Sequence, residues 1–113
     1  MTESQIFKAL GDPVRLTIVR RLSGGATHTM GNLTKDLAIS RQGAQKQVRV
    51  LASARIVRLQ PHGREVRVSL DMDSLRQGRD FITRLERAWD ARLGKLKEVA
   101  EALHKDRRRG RGA

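Results

Sequence analysis

The chain of 113 residues has no cysteine. Disulfides and thiolate metal sites are therefore both excluded. Its aromatic residues are Phe7, Phe81 and Trp89 alone. None falls in the most basic part of the chain, which argues against single-strand binding by base stacking. No apolar run approaches the roughly 18 residues of a membrane span. The N-terminal M-T-E-S-Q carries an acid and lacks the apolar centre of a signal peptide, so the cytoplasm is the expected location and no membrane partner is expected. Paired carboxylates, a Ser/His/Asp set and a phosphate-cradling loop are all missing from the pattern, so no catalytic residue is assigned and an enzyme is not expected. Acids are scarce too: 12 Asp and Glu stand against 24 Lys and Arg, a net charge of +12. Such a balance favours an anionic partner.

The length predicts one domain with a modest core, and chains of this size often gain buried area by dimerising. A first helix is expected over Ser4–Leu10, with Ile6, Phe7 and Leu10 on one face. Gly11 stops it. Asp12 is then an N-cap, with Pro13 at the first helical position, where the missing N–H costs nothing. The second helix has Val14, Ile18, Val19 and Leu22 as its buried stripe, Arg15, Arg20 and Arg21 facing water, and Ser23-Gly24-Gly25 as its stop. Residues 26–29 read as either a brief strand or a loop. Thr29 caps a third helix over Met30–Leu37. Ser40 caps a fourth, from Arg41 to about Ala54, with Ala44, Val48 and Leu51 inward and Arg41, Gln42, Gln45, Lys46 and Arg49 outward. Val57–Gln60 and Glu65–Leu70 alternate apolar with polar as half-buried strands do, around a turn at Pro61-His62-Gly63-Arg64.

A last helix begins at Asp71 or Asp73 and runs to about Leu103. Leu75, Ile82, Leu85, Trp89, Leu93, Leu96, Ala100 and Leu103 recur at steps of three, four and seven along one stripe. The remainder, residues 105–113, is rich in charge and glycine and reads as a disordered basic tail. The expected fold is thus mainly α with a small β-hairpin, in the order α-α-α-α-β-β-α, with residues 1–104 forming the domain.

The stretch from Leu33 to Leu70 carries, after Asp36, the basic residues Arg41, Lys46, Arg49, Arg55, Arg58, Arg64 and Arg67, and the only acid after Asp36 is Glu65. Half of the net charge sits in about a third of the chain. Two short helices joined by a tight turn and followed by a basic hairpin make a recurring shape for reading duplex DNA. On the fourth helix Arg41 suits a guanine edge, and Gln42 and Gln45 suit adenine edges. Lys46 reaches base or phosphate, and Arg49 a phosphate. Ser40, at the N-terminal end, can meet a phosphate together with free backbone N–H groups. Gly43 and Ala44 permit close approach. At the hairpin, His62, Arg64 and Arg67 suit the negative potential of a narrow minor groove. The last helix cannot bury its stripe on so small a body. Ile82, Leu85, Trp89, Leu93 and Leu96 are therefore the candidate surface of a homodimer, which would set two reading helices roughly 34 Å apart on a palindrome.

F-K-A-L-G-D-P-V-R-L-T-I-V-R-R-L at Phe7–Leu22, S-R-Q-G-A-Q-K-Q-V-R-V-L at Ser40–Leu51 and G-R-E-V-R-V-S-L at Gly63–Leu70 give the chain its strongest likeness. Over Ile6–Leu103 it resembles the ArsR/SmtB family of winged helix-turn-helix repressors. The resemblance implies a homodimer built on the first and last helices, which adds Ile6, Phe7 and Leu10 to the candidate dimer surface, and repression of a nearby operon. The last helix, with L-E-R-A-W-D-A-R-L-G-K-L-K at Leu85–Lys97, is similar to a subgroup carrying R-x-W-x-x-R-L there. The chain departs from the family at Gln45 and Gln47, where a serine and a histidine are usual, so an operator sequence is not carried over. Thr29 and Gly31 stand where the metal sensors have cysteines. Only Glu101 and His104 lie together on the last helix, and two donors are too few for a closed site, while His28 and His62 are isolated. No metal and no cofactor are expected. The inducing signal would then be an unidentified small molecule or a protein effector. The competing expectation is a non-specific nucleoid or RNA-binding protein, which the basic tail would serve.

Overall fold

The computed structural model describes residues 1–111. In order these form α1 (Glu3–Leu10), α2 (Pro13–Leu22), β1 (His28–Thr29), α3 (Met30–Thr34), α4 (Arg41–Ser53), β2 (Val57–His62), β3 (Glu65–Leu70) and α5 (Met72–Arg111). They divide into two compact units, Met1–Arg79 and a second that begins at Asp80. The first holds α1 to β3 and the opening turns of α5. The second is the rest of α5.

Local chemistry starts each helix of the first unit. Thr2 and Gln5 form a reciprocal capping box at α1: the Gln5 N–H donates to Thr2 Oγ1 at 3.2 Å and the Thr2 N–H to Gln5 Oε1 at 2.9 Å. At α2 the Asp12 carboxylate accepts from the N–H groups of Val14 and Arg15, both at 3.0 Å, with Pro13 at the first helical position. Thr29 Oγ1 accepts from Asn32 N–H at α3, and Ser40 Oγ from Gly43 N–H at α4. Asp71 precedes α5, and its Oδ1 accepts from the N–H of Asp73 at 3.1 Å.

The core gathers one face from each element. Ile18 and Leu22 of α2, Leu33 of α3, Val48 and Leu51 of α4, Ile56, and Val57 and Val68 of the hairpin are all buried. The sheet is antiparallel in the order β1-β3-β2. Its register sets Val57 opposite Leu70, Leu59 opposite Val68 and Pro61 opposite Val66, so one face is apolar throughout. Residues 26–29, ambiguous in sequence, end in a strand whose His28 and Thr29 pair with Val68 and Arg67. The hairpin is longer than expected, because β2 continues through Pro61 to His62. Proline is tolerated there because β2 is an edge strand and needs no N–H on its open side. The loop shrinks to Gly63-Arg64, and the φ of +63° at Gly63 is what a two-residue turn with glycine first requires.

Several expectations are corrected. α3 stops at Thr34 rather than Leu37, since Lys35 turns extended and Asp36 takes a φ of 61°. Leu37 still packs on the core from outside the helix. Arg15 and Arg21 do not face water as free cations. Arg15 donates to the carbonyls of Ala9 (2.6 Å) and Lys8 (3.2 Å), closing the end of α1, and to Gln47 Oε1 (2.6 Å) on α4. Arg21 donates to the carbonyls of Leu33 and Lys35, satisfying the end of α3. Helix α4 ends in a Schellman motif, in which Ile56 N–H bonds Leu51 O, Arg55 N–H bonds Ala52 O, and Arg55 sits at a φ of 56° where glycine is usual. Ser74 Oγ then donates to Ala54 O at 2.8 Å and Asp71 N–H to Ile56 O at 2.8 Å, fastening the start of α5 to the end of α4.

The second unit differs from expectation at its end. The segment from Lys105, read as disordered, is helical to Arg111. Lys and Arg are good helix formers, and extending an existing helix adds one hydrogen bond per residue without a new nucleus. The part of the expected tail beyond Arg111 lies outside the described residues.

Candidate nucleic-acid interface

The outer face of α4 and the hairpin loop come together across an open groove. Arg41, Gln45 and Arg49 line it from α4, Arg64, Glu65 and Val66 from the hairpin, and Thr29, Met30 and Gly31 from the start of α3. Positions 41, 45 and 49 recur every four residues, which puts them on one side of the helix. On the same helix Ala44, Val48 and Leu51 are fully buried, so the core holds α4 along one flank of this row, while Arg41 and Arg49 are exposed and Gln45 is half-buried. Three arginines thus converge on one depression with a single acid on its wall. The length of their side chains and their fork of donors suit phosphate oxygens and the acceptor edges of bases.

Two comparisons bear on what such a groove serves. A family model described as a helix-turn-helix domain matches residues 10–60, which span α2 to β2. The chain is 36% identical over 87 residues to the HTH-type transcriptional regulator Rv2034 of Mycobacterium tuberculosis, covering 77% of this chain and 78% of that one. Its fold is similar to the ArsR-like transcriptional regulator from Rhodococcus sp. RHA1, at 30% identity and a TM-score of 0.73 over 87% of this chain and 92% of that one. This chain belongs to the ArsR family of transcriptional regulators. It is also similar to the ArsR family transcriptional regulator RHA00566, at 23% identity and a TM-score of 0.72 over 77% and 89%. The fold is the winged helix-turn-helix, with α3 and α4 as the motif and β2–β3 as the wing. Members of this family are transcriptional regulators and not enzymes.

Within this ArsR chain the expected site residues divide. The groove brings together Arg41, Gln45, Arg49 and Arg64. Gln42 and Lys46 are exposed on α4 but do not line it. His62 and Arg67 are exposed on the hairpin. Arg67 pairs with Gln60 and Thr29, and by strand alternation falls on the face opposite Val66 and Val68. Ser40 is exposed, and its hydroxyl is engaged as the α4 cap, which leaves that oxygen's donor capacity for a phosphate. Gly43 serves this cap: a Cβ there would stand 3.0 Å from Ser40 Oγ. Ala44, fully buried, is the small residue through which α4 approaches the core.

The groove also contains residues that sequence reasoning did not assign to it, Glu65 and Val66 on the hairpin and Thr29, Met30 and Gly31 at the start of α3. The signal for the last three was the Thr29 cap, which ends β1 and starts α3 at the same point and so carries that turn to the wing. Gln47, one of the two departures from the family's usual residues, faces away from the groove and accepts from Arg15. Among the described residues there is no cluster of three or more His, Cys, Asp or Glu able to hold a metal.

On the candidate dimer surface one residue is corrected. Ile6 is fully buried within the first unit, where it lies against Gly78, so it backs the surface rather than forming it. Phe7 and Leu10 are half-buried. Within the second unit Ile82, Leu85, Trp89, Leu93 and Leu96 are all exposed, Trp89 at 59%, and Val99 and Leu103 extend the stripe. No helix among the described residues is long and apolar enough to cross a membrane.

Proposed function

We infer that this ArsR-family regulator is a homodimeric, metal-independent repressor that reads a palindromic site in duplex DNA. The observation that carries this reading is the shared groove, in which the wing's Arg64 faces the same space as Arg41, Gln45 and Arg49 of α4. A helix laid in the major groove would put Arg41 and Gln45, with Gln42 beside them, against base edges. Lys46, Arg49 and the Ser40 end would then meet phosphates. His62, Arg64 and Arg67 would grip the adjacent minor groove. The exposed stripe from Ile82 to Leu96 supports pairing with a second copy, since a row of large apolar side chains around Trp89 is an unfavourable surface for an isolated helix. With two copies, the half-sites would lie about one helical turn, roughly 34 Å, apart.

Mobility shifts over a salt series, using a duplex selected from a random library, test the reading. Arg41→Ala weakens the selected duplex more than random DNA, whereas Arg49→Ala weakens both alike and lowers the salt slope by about one. Random duplex competing as well as the selected one would overturn specific recognition.

The alternative, a non-specific nucleoid or RNA-binding protein, draws on the basic end of α5, where Lys105 and Arg107 to Arg109 are exposed on the helix. Removing residues 105–113 separates the two. A specific regulator keeps its sequence preference and loses only general affinity, and a non-specific binder loses most of its binding.

A further inference from the structure

The first unit has a second hollow, on the side of α4 away from the groove. Met1, Gln5, Lys8, Ala9 and Arg15 line it from the α1 side, and Val50, Ser53 and Ala54 from the C-terminal end of α4. Its volume of 380 Å³ is within the range of sites that hold small organic molecules. Its chemistry is lopsided. The lining from Met1, Ala9, Val50 and Ala54 is apolar, two cations stand on it at Lys8 and Arg15, and no carboxylate lines it.

Arg15 makes this hollow more than a surface dip. Its half-buried guanidinium is bonded to three neutral oxygens, those of Ala9, Lys8 and Gln47, and to no carboxylate. Three of its five donors are therefore used, and two remain for an incoming anion. A charge-assisted bond is stronger than a neutral one, so a carboxylate arriving here competes for the guanidinium. The bond most exposed to that competition is the one to Gln47 Oε1, a side chain, since the other two acceptors are carbonyls held by α1. Gln47 belongs to the same helix as Arg41, Gln45 and Arg49 and lies between Gln45 and Arg49 in sequence.

We propose that the hollow between α1 and α4 is an effector site for a small organic anion with an apolar body, such as a medium-chain carboxylate. Its occupancy loosens the Arg15–Gln47 bond and thereby the seating of α4. The apolar part lies on Ala9, Val50 and Ala54, and the carboxylate meets Lys8 and Arg15. The binding half of the proposal stands on the hollow alone. The regulatory half rests on the DNA-reading role proposed for α4.

Octanoate, with octanol as its neutral counterpart, tests both halves on the full chain. In two-dimensional amide NMR, octanoate shifts the backbone signals of Ala9, Val50 and Ala54, and octanol binds at least about ten-fold more weakly. Ser53→Phe, which fills the hollow from an exposed position, and Lys8→Glu, which reverses one of its charges, each weaken octanoate binding about ten-fold or more while leaving the thermal midpoint near that of the parent. Equal binding of octanol and octanoate, binding unchanged in Ser53→Phe, or no shift of these amides at millimolar octanoate overturns the site. In the second arm, saturating octanoate lowers affinity for the selected duplex several-fold in the parent and not in Ser53→Phe. Octanoate that binds without changing DNA affinity overturns the regulatory half alone. A protein that binds no duplex under any condition overturns the DNA-reading role, and the NMR result remains readable.

Discussion

The two units of this chain solve the problem of apolar surface in opposite ways. In the first, every large aliphatic side chain at the centre, from Ile18 to Val68, is closed off by four helices and a three-stranded sheet. Among the described residues, no buried side-chain polar atom lacks a partner. In the second, a helix of similar apolar spacing leaves Ile82, Leu85, Trp89, Leu93, Leu96 and Leu103 all exposed. The difference teaches that amphipathic periodicity specifies a face but not what covers it. The first unit carries its own cover, and the second leaves its stripe exposed.

The largest effect that would sharpen this contrast is expected from the core. Leu51→Ala, at a fully buried position, should cost about 2–5 kcal/mol in urea unfolding, because a cavity forms where α4 meets the hairpin. A loss below 1 kcal/mol would mean that the first unit is less closed than described. Leu93→Asp is next. It should leave unfolding of the first unit within about 0.5 kcal/mol of the parent. It should also weaken self-association by about 2 kcal/mol, roughly thirty-fold, in sedimentation equilibrium. If the Leu93→Asp variant associates as the parent does, the stripe is not the dimer surface.

Two smaller effects address how the start of α5 is fastened within the first unit. Arg55 holds a left-handed conformation that glycine adopts freely, so Arg55→Gly should raise stability by up to about 1 kcal/mol. A loss instead would show that the arginine side chain makes a compensating contribution. The smallest concerns Asp71. The backbone N–H of Asp73 chiefly, and Arg58 with its Nε 3.4 Å away, hold this carboxyl below its ordinary value of 3.8, although partial burial opposes them. A depressed folded value means that its contribution is whole above 3.8 and disappears as pH falls through the lower value in the folded state. Asp71→Asn should therefore reduce stability slightly at neutral pH and flatten the acid limb below about pH 4. An unchanged acid limb would remove Asp71 from the account.

Much of this architecture was legible from residue types because it is local. Asp12-Pro13, Thr29 and Ser40 mark helix starts through bonds that span two or three residues, and all three cap as expected. The alternation in 57–60 and 65–70 marked the hairpin for the same reason. Arg15 and Arg21 were misread because their acceptors lie up to 32 residues away. A long basic side chain on a polar helix face looks solvated until another element's carbonyls are brought to it. The reach of β2 through Pro61 depended on its being an edge strand, which only the sheet order decides. At the candidate site the row Arg41, Gln45, Arg49 was readable from its period, whereas its meeting with Arg64, and the exclusion of Gln42, Lys46 and Arg67 from the groove wall, was not.

What residue order alone determined here is a set of capped, amphipathic segments, a basic stretch from Leu33 to Leu70, and an apolar stripe on the last helix. These follow from periods of two and four residues and from side chains bonding their own backbone. Only the tertiary structure decided that Ile6 is interior, that Gln47 belongs to Arg15, and that a wing arginine shares a groove with the α4 row. Each of these depends on which distant segments pack together. That choice is made by burying the whole core at once, a global condition that no short window of sequence contains.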